Sequence, residues 1–257
     1  MITSKLKLKI INHEIIIGTM LSEIYTPNIV RMLASSGFDY IFVDCEHGYF
    51  DFSQIANIAS IGKGFNLPII VRVPSIQREF ITKVLDIGVD GLLLPQVDNI
   101  QYAQDAVQYS KYTPIGKRGL STTRSHTNYY VSSLADYIKN ANDNLILLAQ
   151  IESQSAIDNA KSIIAVDGID GLIIGPNDMA ADLGFPGQIF CDEIKHKINS
   201  VIEISQKYSK PIGIVDSNMK HLEYWKQCGM SIFCAGSEIH MLIKSAKDTI
   251  KAFESFL

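Results

Sequence analysis

The chain has 257 residues, 47% of them hydrophobic and 19% charged, with a net charge of −4 and four cysteines. This balance excludes a disordered chain, and the net negative charge argues against a nucleic-acid or anionic-membrane partner, which needs clustered Lys and Arg. No apolar run approaches the roughly 20 residues of a membrane span, no h-region marks a secretory signal and no cysteine pair has CxxC spacing, so a reduced, cytoplasmic protein is expected.

The first segment, Lys5-Leu6-Lys7-Leu8-Lys9, reads as a solvated turn or edge piece. Short β-branched runs then alternate with helical patterns. Strands are predicted at Ile15–Thr19, Tyr40–Asp44, Ile69–Val73, Gly91–Leu94, Leu145–Ile151, Gly171–Ile174, Pro211–Val215 and Ser231–Ala235. The first helix is predicted to start at Thr26-Pro27, as an N-cap and first-turn pair. The others are placed at Ser53–Lys63, Ser75–Asp86, Asn99–Ser110, Ser153–Ala165, Asp192–Tyr208, Asn218–Cys228 and Glu238–Phe256. Alternation of this kind implies parallel pairing, and eight units imply a (β/α)8 TIM barrel forming a single domain over residues 1–257. The alternative, an open doubly wound sheet, lacks the GxGxxG or P-loop that usually follows its first strand. The connection Lys111–Asn144 is a long polar excursion containing Gly116-Lys117-Arg118-Gly119 and Arg124-Ser125-His126. Such a length in a compact barrel points to a functional or mobile loop.

In a barrel the chemistry sits at the C-terminal ends of the strands. Those ends carry Asp44-Cys45-Glu46-His47-Gly48, Arg72, Pro95-Gln96, Gln150-Ile151-Glu152, Gly175-Pro176-Asn177-Asp178 and Asp216. Glu152 and Asp178 follow neighbouring strands, and two carboxylates with positions left for water and substrate suit an octahedral hard cation, Mg or Mn. The structural alternative is a salt bridge and a helix cap. Gln150 shares the parity of Glu152 and could hydrogen-bond a substrate carbonyl. Arg72 suits a carboxylate or an enolate oxygen, and His47 is the histidine placed for general base work. No predicted strand contains a lysine, which disfavours a Schiff base and favours metal-assisted enolate chemistry.

The segments Asp44-Cys45-Glu46-His47-Gly48, Val71-Arg72-Val73, Val84-Leu85-Asp86-Ile87-Gly88, Gly116-Lys117-Arg118-Gly119, Gln150-Ile151-Glu152-Ser153 and Gly168–Asp178 together resemble the metal-dependent 2-oxo acid aldolases of the HpcH/HpaI aldolase family. The resemblance implies a divalent metal on Glu152 and Asp178, with pyruvate chelating it. Arg72 and Gln150 would touch pyruvate oxygens, and the backbone around Gly175-Pro176 would hold its carboxylate. His47 would move protons, supported by Asp44 and by Asp86 near a subunit interface. It also implies a homo-oligomer, typically a hexamer packed through C-terminal helices. After Gly119 the chain departs from the family pattern, so that loop is expected to meet the second substrate, with Arg124 and His126 in it and Arg118 just before it suiting a multiply charged acid. Two enzyme readings stay open: aldol cleavage or formation between pyruvate and an aldehyde, and a citrate-type condensation of acetyl-CoA with oxaloacetate. A non-catalytic binding barrel would leave the rim residues without a purpose.

Overall fold

The structure, a computed structural model, describes residues 4–256. Eight parallel strands, β1 (Ile16–Leu21), β2 (Tyr40–Asp44), β3 (Ile69–Arg72), β4 (Gly91–Leu94), β5 (Ile146–Ile151), β6 (Gly171–Ile174), β7 (Ile212–Asp216) and β8 (Ile232–Ser237), close into a barrel in sequence order. Around them lie α2 (Asn28–Ser35), α3 (Phe52–Gly64), α4 (Arg78–Ile87), α5 (Ile100–Ser110), α7 (Gln154–Ile164), α9 (Asp192–Lys207), α10 (Met219–Gln227) and α11 (Glu238–Glu254). The (β/α)8 expectation is therefore met, with strand ends displaced by at most two residues.

Three helices were not expected. Helix α1 (Lys5–Ile11) replaces the solvated segment: Leu6 and Ile10, one turn apart, are buried under the barrel. Lys7 is buried with them because Asp170 neutralises it at 2.6 Å and the Leu145 carbonyl accepts from it. Helix α6 (Leu134–Asn144) occupies the end of the long connection, and α8 (Pro176–Asp182) follows β6 directly. Thr26 is not a side-chain cap; Pro27 occupies the N-cap of α2 without a side-chain bond.

The strands' two faces separate the core into two parts. One packs between sheet and helices. The other fills the barrel, with Ile16, Met20, Tyr40, Phe42, Ile70, Leu93, Ile146, Leu148, Ile173, Ile232 and Cys234 above Leu6 and Ile10. Side chains alternate along a strand, so the inward row continues upward from Tyr40 and Phe42 to Asp44, from Ile70 to Arg72, and from Ile146 and Leu148 to Gln150. The interior turns from apolar to polar at the C-terminal rim, where the candidate site residues stand.

Glu238 ties the last helix to the first loop. Its buried carboxylate accepts from the backbone N–H of Ser22, Glu23 and Ile24 at 2.8, 2.6 and 3.1 Å. Ser237 caps the same helix, its hydroxyl accepting from the His240 N–H. Glu238→Ala is expected to cost about 1–3 kcal/mol, since three donors lose one acceptor. A chemical or thermal melt checks this; an unchanged midpoint would show that the β1 loop is held by other contacts.

Candidate active site

The rim is organised by Arg72. Its Nε and Nη2 donate to Asp44 Oδ1 and Oδ2 at 2.9 and 2.7 Å, and its Nη1 lies 3.1 Å from Glu46 Oε2. Asp44 and Arg72 are register partners on β2 and β3, so the sheet itself creates the pair. Burial alone would raise the Asp44 carboxyl, but the Arg72 guanidinium overcomes this and holds it below its ordinary value. The N–H groups of Glu46 and His47 also donate to Asp44 Oδ1, at 3.0 and 3.3 Å. This folds the Asp44–Gly48 turn back on its strand. Gly48 is required there: a Cβ would collide with the Asp44 carbonyl and lie 2.8 Å from that of Ser22. The His47 side chain stands exposed at the rim. Cys45 is buried, and burial beside Asp44 pushes its thiol up to about 12, which removes it as a nucleophile.

Glu152 follows β5 and is 4% exposed. Burial pushes its carboxyl up to about 7, with Glu46 and Asp178 adding to the effect while the Gln96 N–H and Arg72 oppose it. The sequence-predicted pair Glu152 and Asp178 is thus brought within electrostatic reach, Asp178 standing exposed in the first turn of α8. The Gln150 amide nitrogen donates to Glu152 Oε2, while its Oε1 is buried without a partner. Gly175 forms the opposite wall: a Cβ there would lie 2.5 Å from Glu152 Oε2 and 2.6 Å from Gln150 Nε2.

These residues fit a hard cation. The donors are oxygens: the buried Glu152 carboxylate has the exposed Asp178 carboxylate within electrostatic reach and the orphaned Gln150 amide oxygen beside it. Among the described residues no cluster of three or more His, Cys, Asp and Glu side chains forms a cage, so the protein would supply two carboxylates and leave positions for substrate and water. A cavity of about 340 Å³ lies at the rim on the β7–β8 side of Arg72, lined by Met20, Arg72, Asn177, Asp216, Ser217 and His240. Asp216 is itself engaged by the Asn218 N–H and by His221 Nδ1, both at 2.9 Å.

The other expected site residues are not brought to this group within the chain. Asp86, at the end of α4, pairs with Arg118 Nη2 at 2.8 Å, and its carbonyl meets His126 Nδ1 at 3.1 Å. Arg118 also stacks on Tyr112. Burial lowers His126, as does the neighbouring Arg118, against the pull of the Asp86 carbonyl. Arg124 lines a separate cavity of about 600 Å³ with Phe52, Lys83, Asp86 and Tyr129. Two further rim residues, to which no sequence motif assigns a role, complete the network. Glu46 braces Arg72, and Gln96 donates its backbone N–H to Glu152 Oε1 at 2.7 Å. The position of Glu46, two residues past Asp44 in a turn, was a signal that could have found it.

Comparison with known proteins places the chain in a family. The family model described as HpcH/HpaI aldolase/citrate lyase matches residues 20–245. A 5-keto-4-deoxy-D-glucarate aldolase from Klebsiella pneumoniae subsp. pneumoniae is 30% identical over 251 residues, covering 98% of this chain and 97% of its own. A hydroxypyruvate/pyruvate aldolase from Roseovarius nubinhibens is 30% identical over 224 residues, 87% of each chain. The crystal structure of an HpcH/HpaI aldolase from Desulfitobacterium hafniense DCB-2 is similar with a TM-score of 0.91 at 29% identity, covering 96% of both chains. With the matched segment spanning nearly the whole barrel and its rim, the chain belongs to the HpcH/HpaI aldolase/citrate lyase family and is an enzyme of the aldolase/lyase type.

Proposed function

We propose that this enzyme cleaves or forms the carbon–carbon bond between the carbons α and β to the ketone of a 2-oxo acid, with pyruvate as donor and an aldehyde as acceptor. A divalent cation, Mg or Mn, would be held by Glu152 and Asp178. The observation that carries the reading is the Glu152 carboxylate, raised first by its burial and further by Glu46 and Asp178, and set beside an unpartnered Gln150 oxygen. Arg72 is committed to Asp44 and Glu46 and leaves this group short of positive charge. The names of the two curated relatives support an aldol reaction.

When bound, the cation supplies Lewis-acid charge for enolate formation. The chain's own residues do the rest. Arg72, held by two hydrogen bonds to Asp44, would present its remaining N–H groups to a substrate oxygen in the cavity it lines. Gln150 and the backbone around Gly175-Pro176 confine the 2-oxo acid. His47, on the turn pinned by Asp44, takes and returns the proton. Incubation with pyruvate and a panel of aldehydes, with and without EDTA, tests the reading. A pyruvate-derived aldol product that vanishes with the metal is expected. Release of CoA from acetyl-CoA with oxaloacetate, and no aldol product, would overturn it in favour of the citrate-type condensation.

The apparent metal affinity should depend on pH with a definite sign. The Glu152 carboxyl rises from an ordinary 4.5 to about 7, so a proton competes with the cation below that value. Affinity is expected to climb by up to about tenfold per pH unit between about 5 and 7 and then level off. The metal-free protein should behave in the opposite sense. Between 4.5 and about 7 the folded state holds more protons than the unfolded one, so its stability falls as pH rises. Titration calorimetry and melts across this range check both.

The same reading makes the chain a homo-oligomer. Helix α11 exposes Leu242, Ile243, Ile250 and Phe253, a load of apolar surface suited to a second copy. Asp86, Arg118, Arg124 and His126 would then act at the boundary between copies, with Arg124 choosing the acceptor. Arg124→Ala is expected to leave enolate formation intact and to raise the KM of carboxylated aldehydes, sparing uncharged ones. A parallel fall in donor proton exchange and condensation would place Arg124 in the enolate step instead. A reducing compartment suits the four free cysteines, and among the described residues no helix is long and apolar enough to cross a membrane.

A further inference from the structure

We propose that Gln96 is a positioning residue for the Glu152 carboxylate, acting through a backbone N–H that its left-handed conformation aims at Oε1. The inference rests on the metal reading above.

Gln96 follows β4 and has φ 49°, a region that L residues with a side chain seldom occupy. Such a conformation persists only where its surroundings enforce it, and it is common at active sites. Here both flanks are fixed. On one side β4 pairs with β5 from Gly91↔Ile146 to Leu94↔Ala149. On the other, the Asp98 carbonyl accepts from Ser155 Oγ at 3.2 Å and from Asn159 Nδ2 at 2.9 Å, and the Asp98 carboxylate accepts from the Ser153 hydroxyl. The short segment from Gln96 to Asp98 is therefore clamped onto the end of β5 and the start of α7. With its ends held, a residue that refuses positive φ must rotate the Pro95–Gln96 peptide, and the N–H turns away from Glu152. The Gln96 side chain adds a second link: Nε2 donates to Glu46 Oε1 at 3.3 Å, and Glu46 braces Arg72. One residue thus joins the proposed metal-bearing carboxylate to the arginine network. The main connection is made by backbone, so glycine preserves it and a β-branched residue does not.

The test is Mn²⁺ binding to the metal-stripped full chain, read from the EPR signal of free Mn²⁺, for wild type, Gln96→Gly and Gln96→Val. Loss of an outer partner of a metal ligand typically weakens affinity about 10–100-fold. That loss is expected for Gln96→Val. Gln96→Gly adopts positive φ freely and is expected to stay within about threefold of wild type. If Gln96→Val does not melt cooperatively, Gln96→Thr, also β-branched, takes its place with the same expectation. Wild-type affinity in the β-branched variant overturns the proposal. Equal weakening in Gln96→Gly also overturns it, because the side chain and not the aimed N–H would then be responsible. Failure of the wild type itself to bind Mn²⁺ overturns the metal reading and the inference with it, an outcome distinct from the other two.

Discussion

Replacing Glu152 or Asp178 by alanine is expected to lower turnover by about three orders of magnitude while leaving the barrel folded. Each change removes one of two carboxylates proposed to hold the cation, and the Lewis-acid contribution is worth several kcal/mol, with tenfold in rate for each 1.36 kcal/mol. Folding should survive because neither side chain belongs to the two apolar clusters that fill and surround the barrel. Stability offers a second reading of the same residue. The Glu152 carboxylate is buried among acids and its proton affinity is raised, so the charged form is unfavourable in the metal-free protein. Glu152→Gln should therefore melt, in EDTA at pH 8, no lower than wild type. Mg²⁺ should raise the wild-type midpoint and leave the variant's unchanged. Full activity in Glu152→Ala or Asp178→Ala would remove the metal from the reaction.

The second large effect is expected at His47. His47→Ala should slow turnover by about 10²–10⁴, the range for a positioned acid or base. Affinity for oxalate, a mimic of the enolate form of pyruvate, should change little, because the binding groups Arg72, Gln150 and Glu152 are untouched. Asp44 pins the backbone of this turn, not the imidazole, so the variant should also keep the rim geometry. Inhibition constants set against kcat make the distinction. A collapse of oxalate affinity with normal turnover of bound substrate would make His47 a binding residue.

The barrel was legible because its strands are short β-branched runs between polar turns, a pattern that survives any detail of packing. Helix α1 was hidden by its lysines: alternate charges look solvated, yet Lys7 is buried by a single carboxylate, Asp170, more than 160 positions away. Helix α6 was obscured by polarity, since Asn142 is its one buried residue, and α8 is only seven residues long and starts at a proline inside a motif. At the rim, Asp44, Arg72, Gln150 and Glu152 could be read from strand parity, because the inward row that is apolar below becomes polar above. Gln96 could not be read in that way. Its contact with Glu152 uses a backbone N–H and depends on a φ that glutamine does not advertise. Asp86, Arg118 and His126 were expected near the chemistry from their place in motifs. Their mutual contacts beside α4 depend on how the long connection folds back, which no local pattern encodes.

Exchange of the pyruvate methyl protons with deuterated water, followed by NMR in the absence of any aldehyde, tests enolate formation most directly. With Mg²⁺ or Mn²⁺ bound, the wild-type enzyme should exchange all three protons, and EDTA, Glu152→Ala or His47→Ala should each suppress the exchange. Undiminished exchange in metal-free enzyme, or none in loaded enzyme that is turning over an aldol substrate, would contradict a metal-stabilised pyruvate enolate at this rim.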